Sequence, residues 1–260
     1  MKKICLLFMT MVFLFIATPS RATLEIGVGA WNQNIDGSLA YSHFNTETDE
    51  ADLHRDLDLK KDTRGTGYLK LELPILPSLY LGFTPMAFEG TETMKRPYTF
   101  GDYTFLKDRP LDTRMKLNHF DVGLYYSLIL PDLGAIRKVK VDLGLDLRTA
   151  ELDVAVTGAV ASETGEKRVR EAENYTLPIP MLYGAVQVTP AEKISLEFEG
   201  RGVSLGGDHL VSLLGRVKYR VRGALFVATG YRYDYIRLDE DDLNIDSTVS
   251  GIFCETGLEF

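Results

Sequence analysis

From Thr23 onward the chain alternates apolar and polar residues with a period of two, in segments of about ten residues, the pattern of strands with one greasy face. Val139, Val141, Leu143, Leu145 and Leu147 alternate with Lys140, Asp142, Gly144, Asp146 and Arg148. Phe120, Val122, Leu124, Tyr126 and Leu128 oppose His119, Asp121, Gly123 and Tyr125. Leu69, Leu71 and Leu73 oppose Lys70 and Glu72, while Ile194, Leu196 and Phe198 oppose Ser195, Glu197 and Glu199. Leu225, Val227, Tyr231, Tyr233 and Tyr235 share a face opposite Arg232 and Asp234. Helical three-four spacing fits none of these segments.

The pattern predicts an all-β chain of about ten strands, at 23–33, 64–74, 78–89, 113–129, 138–149, 174–189, 193–202, 210–221, 224–237 and 248–260. Counts of eight and twelve also fit. The connections alternate in kind. Long polar ones fall at 34–63, 90–112, 150–173, 203–209 and 238–247, and tight ones at Pro74–Pro77, Leu130–Arg137, Pro190–Glu192 and Arg222-Gly223. Short turns on one rim and long loops on the other are the mark of an antiparallel up-and-down barrel that spans a membrane. Two segments resist the pattern. The apolar parity switches after Leu147 to Leu152, Val154 and Val156, which suggests a bulge near Thr149–Glu151. In 174–189 both faces carry apolar residues, and Pro178 and Pro180 leave the register open.

The N-terminus carries Lys2 and Lys3, an apolar run from Ile4 through Ala17, and then Thr18-Pro19-Ser20-Arg21-Ala22. That is the plan of a secretory signal peptide over 1–22 with cleavage before Thr23, leaving 23–260 as a single barrel domain. Loss of Lys2, Lys3 and Arg21 would take the formal charge from −8 to −11, the wrong sign for nucleic acid. Cys254 would be the one remaining cysteine, so no disulfide forms within the chain, and no cysteine–histidine spacing suits a metal. No cofactor is expected.

A soluble barrel also alternates, so the choice of inside and outside rests on further features. The polar faces mix both charges with glycines, which suits a narrow polar lumen. Tyrosines cluster at strand ends, as in Tyr125-Tyr126 and Tyr231-Arg232-Tyr233-Asp234-Tyr235, where interfacial girdles would lie. The chain ends with Ile252, Cys254, Thr256, Leu258 and Phe260 on one face. This ending resembles the C-terminal assembly signal of Gram-negative outer-membrane proteins, although the family often has glycine where Glu255 stands. With the opening Gly27-Val28-Gly29-Ala30-Trp31, the chain resembles the small outer-membrane β-barrel proteins of proteobacteria. The resemblance implies export through the periplasm to the cell outer membrane. The partners it implies are outer-membrane lipid, lipopolysaccharide and, during insertion through Ile252, Leu258 and Phe260, the barrel-assembly machinery. It carries no catalytic residues.

If the apolar faces meet lipid, the opposite parity defines the lumen. Its cations are Lys70, Lys140, Arg148, Arg201, Arg216, Lys218, Arg220 and Arg232. Its anions are Glu25, Glu72, Asp121, Asp142, Asp146, Glu197, Glu199, Asp234, Glu255 and Glu259, and His119 lies on the same lumen face. Near balance favours a network of pairs that plugs the lumen over the single-sign ring of a selective channel. The row Arg216, Lys218, Arg220 is expected to pair with Glu197 and Glu199, the other reading being a weak anion path or a ligand-binding stripe. His119 and Asp121 would suit a base and its orienter, and Asp208-His209 faintly resembles the aspartate–histidine pairs of outer-membrane proteases. Neither has the remaining partners such chemistry needs, so no enzyme is expected. The acidic loops, including Asp239-Glu240-Asp241-Asp242, lack the glycine and terminal glutamate of a calcium-binding loop and read as a solvated rim. The expected role is structural or surface-interacting through 34–63, 90–112 and 150–173, with a narrow passive channel or a rim enzyme as the alternatives, and an extracellular partner not specified by the sequence.

Overall fold

The computed structural model describes residues 22–41, 50–130, 138–240 and 243–260, without the side chains of 239, 240 and 243. Residues 1–21, which hold nearly all of the expected signal peptide, and 131–137, where a tight connection is expected, lie outside the described residues. The strands are β1 (Thr23–Tyr41), β2 (Ala51–Asp52), β3 (Asp62–Glu72), β4 (Ser78–Thr84), β5 (Ala87–Thr93), β6 (Tyr98–Phe100) and β7 (Tyr103–Phe105). They continue with β8 (Pro110–Leu130), β9 (Lys138–Ser162), β10 (Gly165–Ala191), β11 (Ile194–Leu205), β12 (Asp208–Arg222), β13 (Leu225–Glu240) and β14 (Leu243–Glu259).

Ten staves close the ring. β4 and β5 form a single stave, because both pair with β8 in one continuous register from Ser78↔Tyr125 to Thr93↔Pro110. Pro85, which has no N–H to give a ladder, interrupts it; around the break Met86 N donates to Asn118 Oδ1 at 3.1 Å, and Leu117 N to the Met86 carbonyl at 3.0 Å. β3 pairs with β1, every later stave with its predecessor, and β14 returns to β1 from Glu25↔Glu259 to Tyr41↔Leu243. Closure leaves the ring without free edges, so backbone polar groups inside a bilayer are satisfied.

The lower part of each stave turns apolar residues outward. Ile26, Val28, Phe83, Phe120, Leu124, Leu143, Leu145, Leu182, Phe198, Leu213, Val227, Ile252, Leu258 and Phe260 are exposed around a continuous belt. Tyr126 and Tyr231 stand in it, but Tyr125 is buried in the lumen. The girdle expectation is therefore corrected for Tyr125, whose parity is that of His119 and Asp121.

Further expectations change, among them the long connections at 203–209 and 238–247, where strand pairing runs on to Leu205↔Asp208 and Glu240↔Leu243. No bulge occurs near Thr149–Glu151: β9 keeps one register with β8 from Asp112↔Thr157 to Leu130↔Val139, and with β10 from Gly165↔Ser162 to Thr189↔Lys138. The even positions of β9 point inward throughout, and what changes is their chemistry, from Lys140, Asp142, Asp146 and Arg148 to Leu152, Val154 and Val156. The segment 150–173 is accordingly no loop but the upper half of the β9–β10 hairpin. In β10 the odd residues face inward, including Met181, Tyr183 and Ala185, which sets the register the prolines obscured. Pairing of β10 with β11 ends at Leu182↔Gly202, just below Pro180 and Pro178, while pairing with β9 runs past both.

Candidate functional site

The interior is built in two layers. On β8 the inward row runs Tyr125, Gly123, Asp121, His119 and then Leu117, Met115, Thr113 and Leu111. The outward row changes at the same height, from Phe120 and the apolar residues below it to Asn118, Lys116, Arg114 and Asp112 above. Below that plane the barrel is greasy outside and charged inside. Above it the arrangement inverts, as in a water-soluble barrel.

The lower layer holds dense groups of ion pairs. Arg216 of β12 reaches Glu25 at 2.9 Å and Glu197 at 2.5 Å, bonds Glu255, and lies over the Tyr68 ring at 5.1 Å. Lys218 meets Glu25 at 2.9 Å, Glu197 at 3.1 Å and Glu259 at 3.0 Å, and Arg220 meets Glu259 at 2.9 Å. The basic row thus pairs with Glu197 as expected, but otherwise across to β1 and β14. Glu199 instead bonds Lys70 and lies 3.4 Å from Arg201. Lys140 bonds Glu72 and lies 3.5 Å from Asp142.

Just under the inversion plane, Arg148 grips Asp121 at 2.7 and 3.3 Å and donates to Ser212 Oγ at 2.8 Å. Arg232 donates to Asp234 at 3.1 Å, to Thr84 at 2.9 Å and to His119 Nε2 at 2.9 Å, and stacks over Trp31 at 4.8 Å. A guanidinium can only donate, so His119 Nε2 is the acceptor and is unavailable as a base. Arg201 lies 3.7 Å from Asp146 and over the rings of Tyr80 and Tyr183, at 4.4 and 4.9 Å. These buried charges belong together: an uncompensated one in so dry an interior would cost several kcal/mol. Between the layers a cavity of about 40 Å3, lined in part by Trp31, Tyr68, Lys70 and Arg232, has room for one or two waters.

Four interior tyrosines were not singled out as site residues from the sequence. Tyr68, Tyr80, Tyr183 and Tyr125 step across the lumen with ring centroids 6.4, 6.5 and 5.3 Å apart in that order. The signal was parity: Tyr68 shares the face of Lys70.

The upper layer was also missed. Trp31, Ile35 and Leu39 of β1, Phe88 of β5, Met115 of β8, Val154 and Val156 of β9, and Ile245 and Val249 of β14 form one buried apolar cluster. Two connections read as polar loops add to it: Ala51, Leu53, Leu57 and Leu59 from the first, and Met94, Tyr98, Phe100 and Phe105 from the second, all at most 4% exposed. They cap the mouth. The β6–β7 hairpin is tied to β9 through Phe105↔Val160, and Gly101 N donates to the Tyr41 carbonyl at 3.3 Å. A side chain at Gly101, whose φ is +60°, would run into Glu171 and Tyr41.

In the cap, burial and then a hydrogen bond to Glu173 push the Tyr41 phenol up. At Asp52 burial also pushes upward. Donors from the Arg55 backbone at 2.7 Å, the Arg55 side chain at 2.9 Å and the His54 backbone at 3.0 Å outweigh it, and hold the carboxyl below the usual range. Asp208 and His209 sit on the low β11–β12 turn, paired in register with Leu205 and Ser204. Among the described residues no group of three or more His, Cys, Asp or Glu could hold a metal ion. Ile252, Leu258 and Phe260 project outward from the closing stave.

A closed antiparallel barrel with an apolar belt and ion pairs within is a transmembrane barrel of the outer-membrane kind. Comparison with one solved structure agrees on the fold. The outer membrane protease OmpT from Escherichia coli superposes with a TM-score of 0.55 at 8% identity, over 94% of this chain and 100% of that one. The transport unit of the autotransporter AIDA-I from Escherichia coli gives 0.38 at 10% identity, over 97% and 96%. Ail, the attachment invasion locus protein of Yersinia pestis, gives 0.29 at 8% identity, over 93% and 100%. At 8% identity the likeness to OmpT speaks for the fold and nothing further. No protein-family model and no curated protein sequence matches the chain.

Proposed function

We propose that this protein resides in the outer membrane as a closed, non-conducting barrel with a structural or surface-interaction role. The observation that carries the reading is the filled interior: paired charges below, side chains of two inturned connections above, and about 40 Å3 of space between them. A conducting pore needs a continuous water path, and a selective one a ring of single sign. A rim enzyme has little support, since His119 is held by Arg232 beneath the cap and Asp208-His209 lies in a two-strand turn. The barrel-assembly machinery would act on the closing stave, and lipid and lipopolysaccharide would surround the belt. Planar bilayers test the central point. The refolded protein should give no unitary steps. Reproducible openings would replace this reading with a narrow passive channel.

A further inference from the structure

A second depression lies outside the lumen. A groove of about 560 Å3 lies on the outer wall of the upper barrel, where β5, β8, β9 and β10 run side by side. Its floor is made of small residues, Ala155 and Thr157 of β9 with Gly90 and Thr91 of β5. Its walls carry three acids, Asp58, Glu89 and Asp112, and three bases, Lys60, Arg114 and Arg170.

Height narrows the class of occupant. Along β8 the last apolar outward residue is Phe120, and the groove begins at Arg114 and extends to Asp112. Six to eight residues at ~3.3 Å each, on a strand tilted by about 40°, place it roughly 15–20 Å above Phe120. Phospholipid headgroups reach only about 5–8 Å beyond the hydrocarbon. An occupant must therefore be soluble or carry a tall headgroup.

Chemistry narrows it further. The lining has no apolar side chain larger than Ala155, so a protein partner would find no anchor. Three bases against three acids leave no extended positive field for a long polyanion such as nucleic acid. They do not bar a mostly neutral sugar whose isolated anionic group meets a single cation. Two of the wall bases are in exposed ion pairs, Lys60 with Asp58 and Arg114 with Glu89. Such pairs contribute at most about 1 kcal/mol and open readily to bond hydroxyl groups. Arg170 has no carboxylate partner among the described residues and stands opposite Thr157 in the ladder. Its guanidinium suits a phosphate or carboxylate. We infer that this groove binds an anionic saccharide, supplied by the core sugars of the lipopolysaccharide surrounding the barrel.

The inference rests on the outer-membrane placement, which cell fractionation tests separately. Calorimetry with the full chain in detergent would use delipidated core oligosaccharide as the probe. Wild type should bind it. Arg170→Gln and Ala155→Trp, which removes the cation and fills the floor respectively, should each weaken binding about tenfold, or ~1.4 kcal/mol. Arg237→Gln, an exposed cation of β13 outside the groove, should leave it unchanged. Heat-modifiable gel migration would show that each variant is folded. A second arm compares full-core lipopolysaccharide with a glycolipid that stops at lipid A, and only the former should raise the unfolding temperature through Arg170. No binding by wild type, equal loss in Arg237→Gln, or equal stabilisation by the lipid A form would each overturn the inference. A barrel found in the outer membrane that ignores the oligosaccharide fails this inference alone.

Discussion

Cys254 and Glu255 are neighbours in sequence and face different solvents. Cys254 lies exposed on the belt, with Thr229 Oγ1 3.5 Å from its sulfur, while Glu255 turns in to bond Arg216 and Tyr68. A thiol facing lipid is a small hydrophobe, so Cys254→Ala should cost little. Cys254→Arg should cost ~2–4 kcal/mol if it sits near the bilayer midplane. In folded protein in lipid, Cys254 should react slowly with a charged maleimide and quickly with a lipid-soluble one. Rapid labelling by the charged reagent would reverse the inside and outside of β14.

At the scale of the element, β9 shows how far a sequence pattern carries. Its alternation is unbroken, but the apolar residues cross from the outer to the inner face above Leu147. A reader who follows the apolar residues sees a slipped register, whereas the backbone sees none. The same inversion made 150–173 read as a polar connection, although it is paired strand on both sides of its turn. The lower wall was legible because one face was uniformly apolar, and the parity of Lys70, Asp121, Asp146 and Arg216 placed them inside. The cap was not. Leu53, Leu57, Phe100 and Phe105 have no strand period of their own, and they are buried because they pack into the barrel mouth. The inversion predicts opposite outcomes at adjacent positions. Val154→Asp would put an unpaired carboxylate in the apolar layer and should cost several kcal/mol. Asp153→Asn loses only a half-exposed bridge to Lys116 and should change stability by less than about 1 kcal/mol. Urea unfolding followed by gel mobility measures both, and equal effects would mean that β9 does not invert.

For the whole molecule, closure of the ring comes last along the chain. Phe260 N donates to the Leu24 carbonyl at 2.9 Å and Leu24 N to the Phe260 carbonyl at 3.3 Å, which finishes the β1–β14 seam. Deleting Phe260 removes both bonds and the last outward apolar side chain. Outer-membrane yield should fall while total expression holds, and undiminished heat-modifiable protein in the outer-membrane fraction would count against an assembly role for this end. The inverted upper barrel also sets terms for how such a molecule can be delivered. On the proposed outer-membrane placement, reached from the periplasm, β8 must send Asp112, Arg114 and Lys116 to the far side of the hydrocarbon. At about 2.5–3.5 kcal/mol for each charged residue at mid-membrane, this strand alone faces a toll near 10 kcal/mol if it crosses facing lipid. Passage is far easier while the sheet is still open, its charged faces wetted and the surrounding bilayer thinned. The polar head thus makes a late, lipid-only insertion of the finished cylinder the least accessible route, and ties the translocation of β8, β9 and β10 to the moment before the seam shuts.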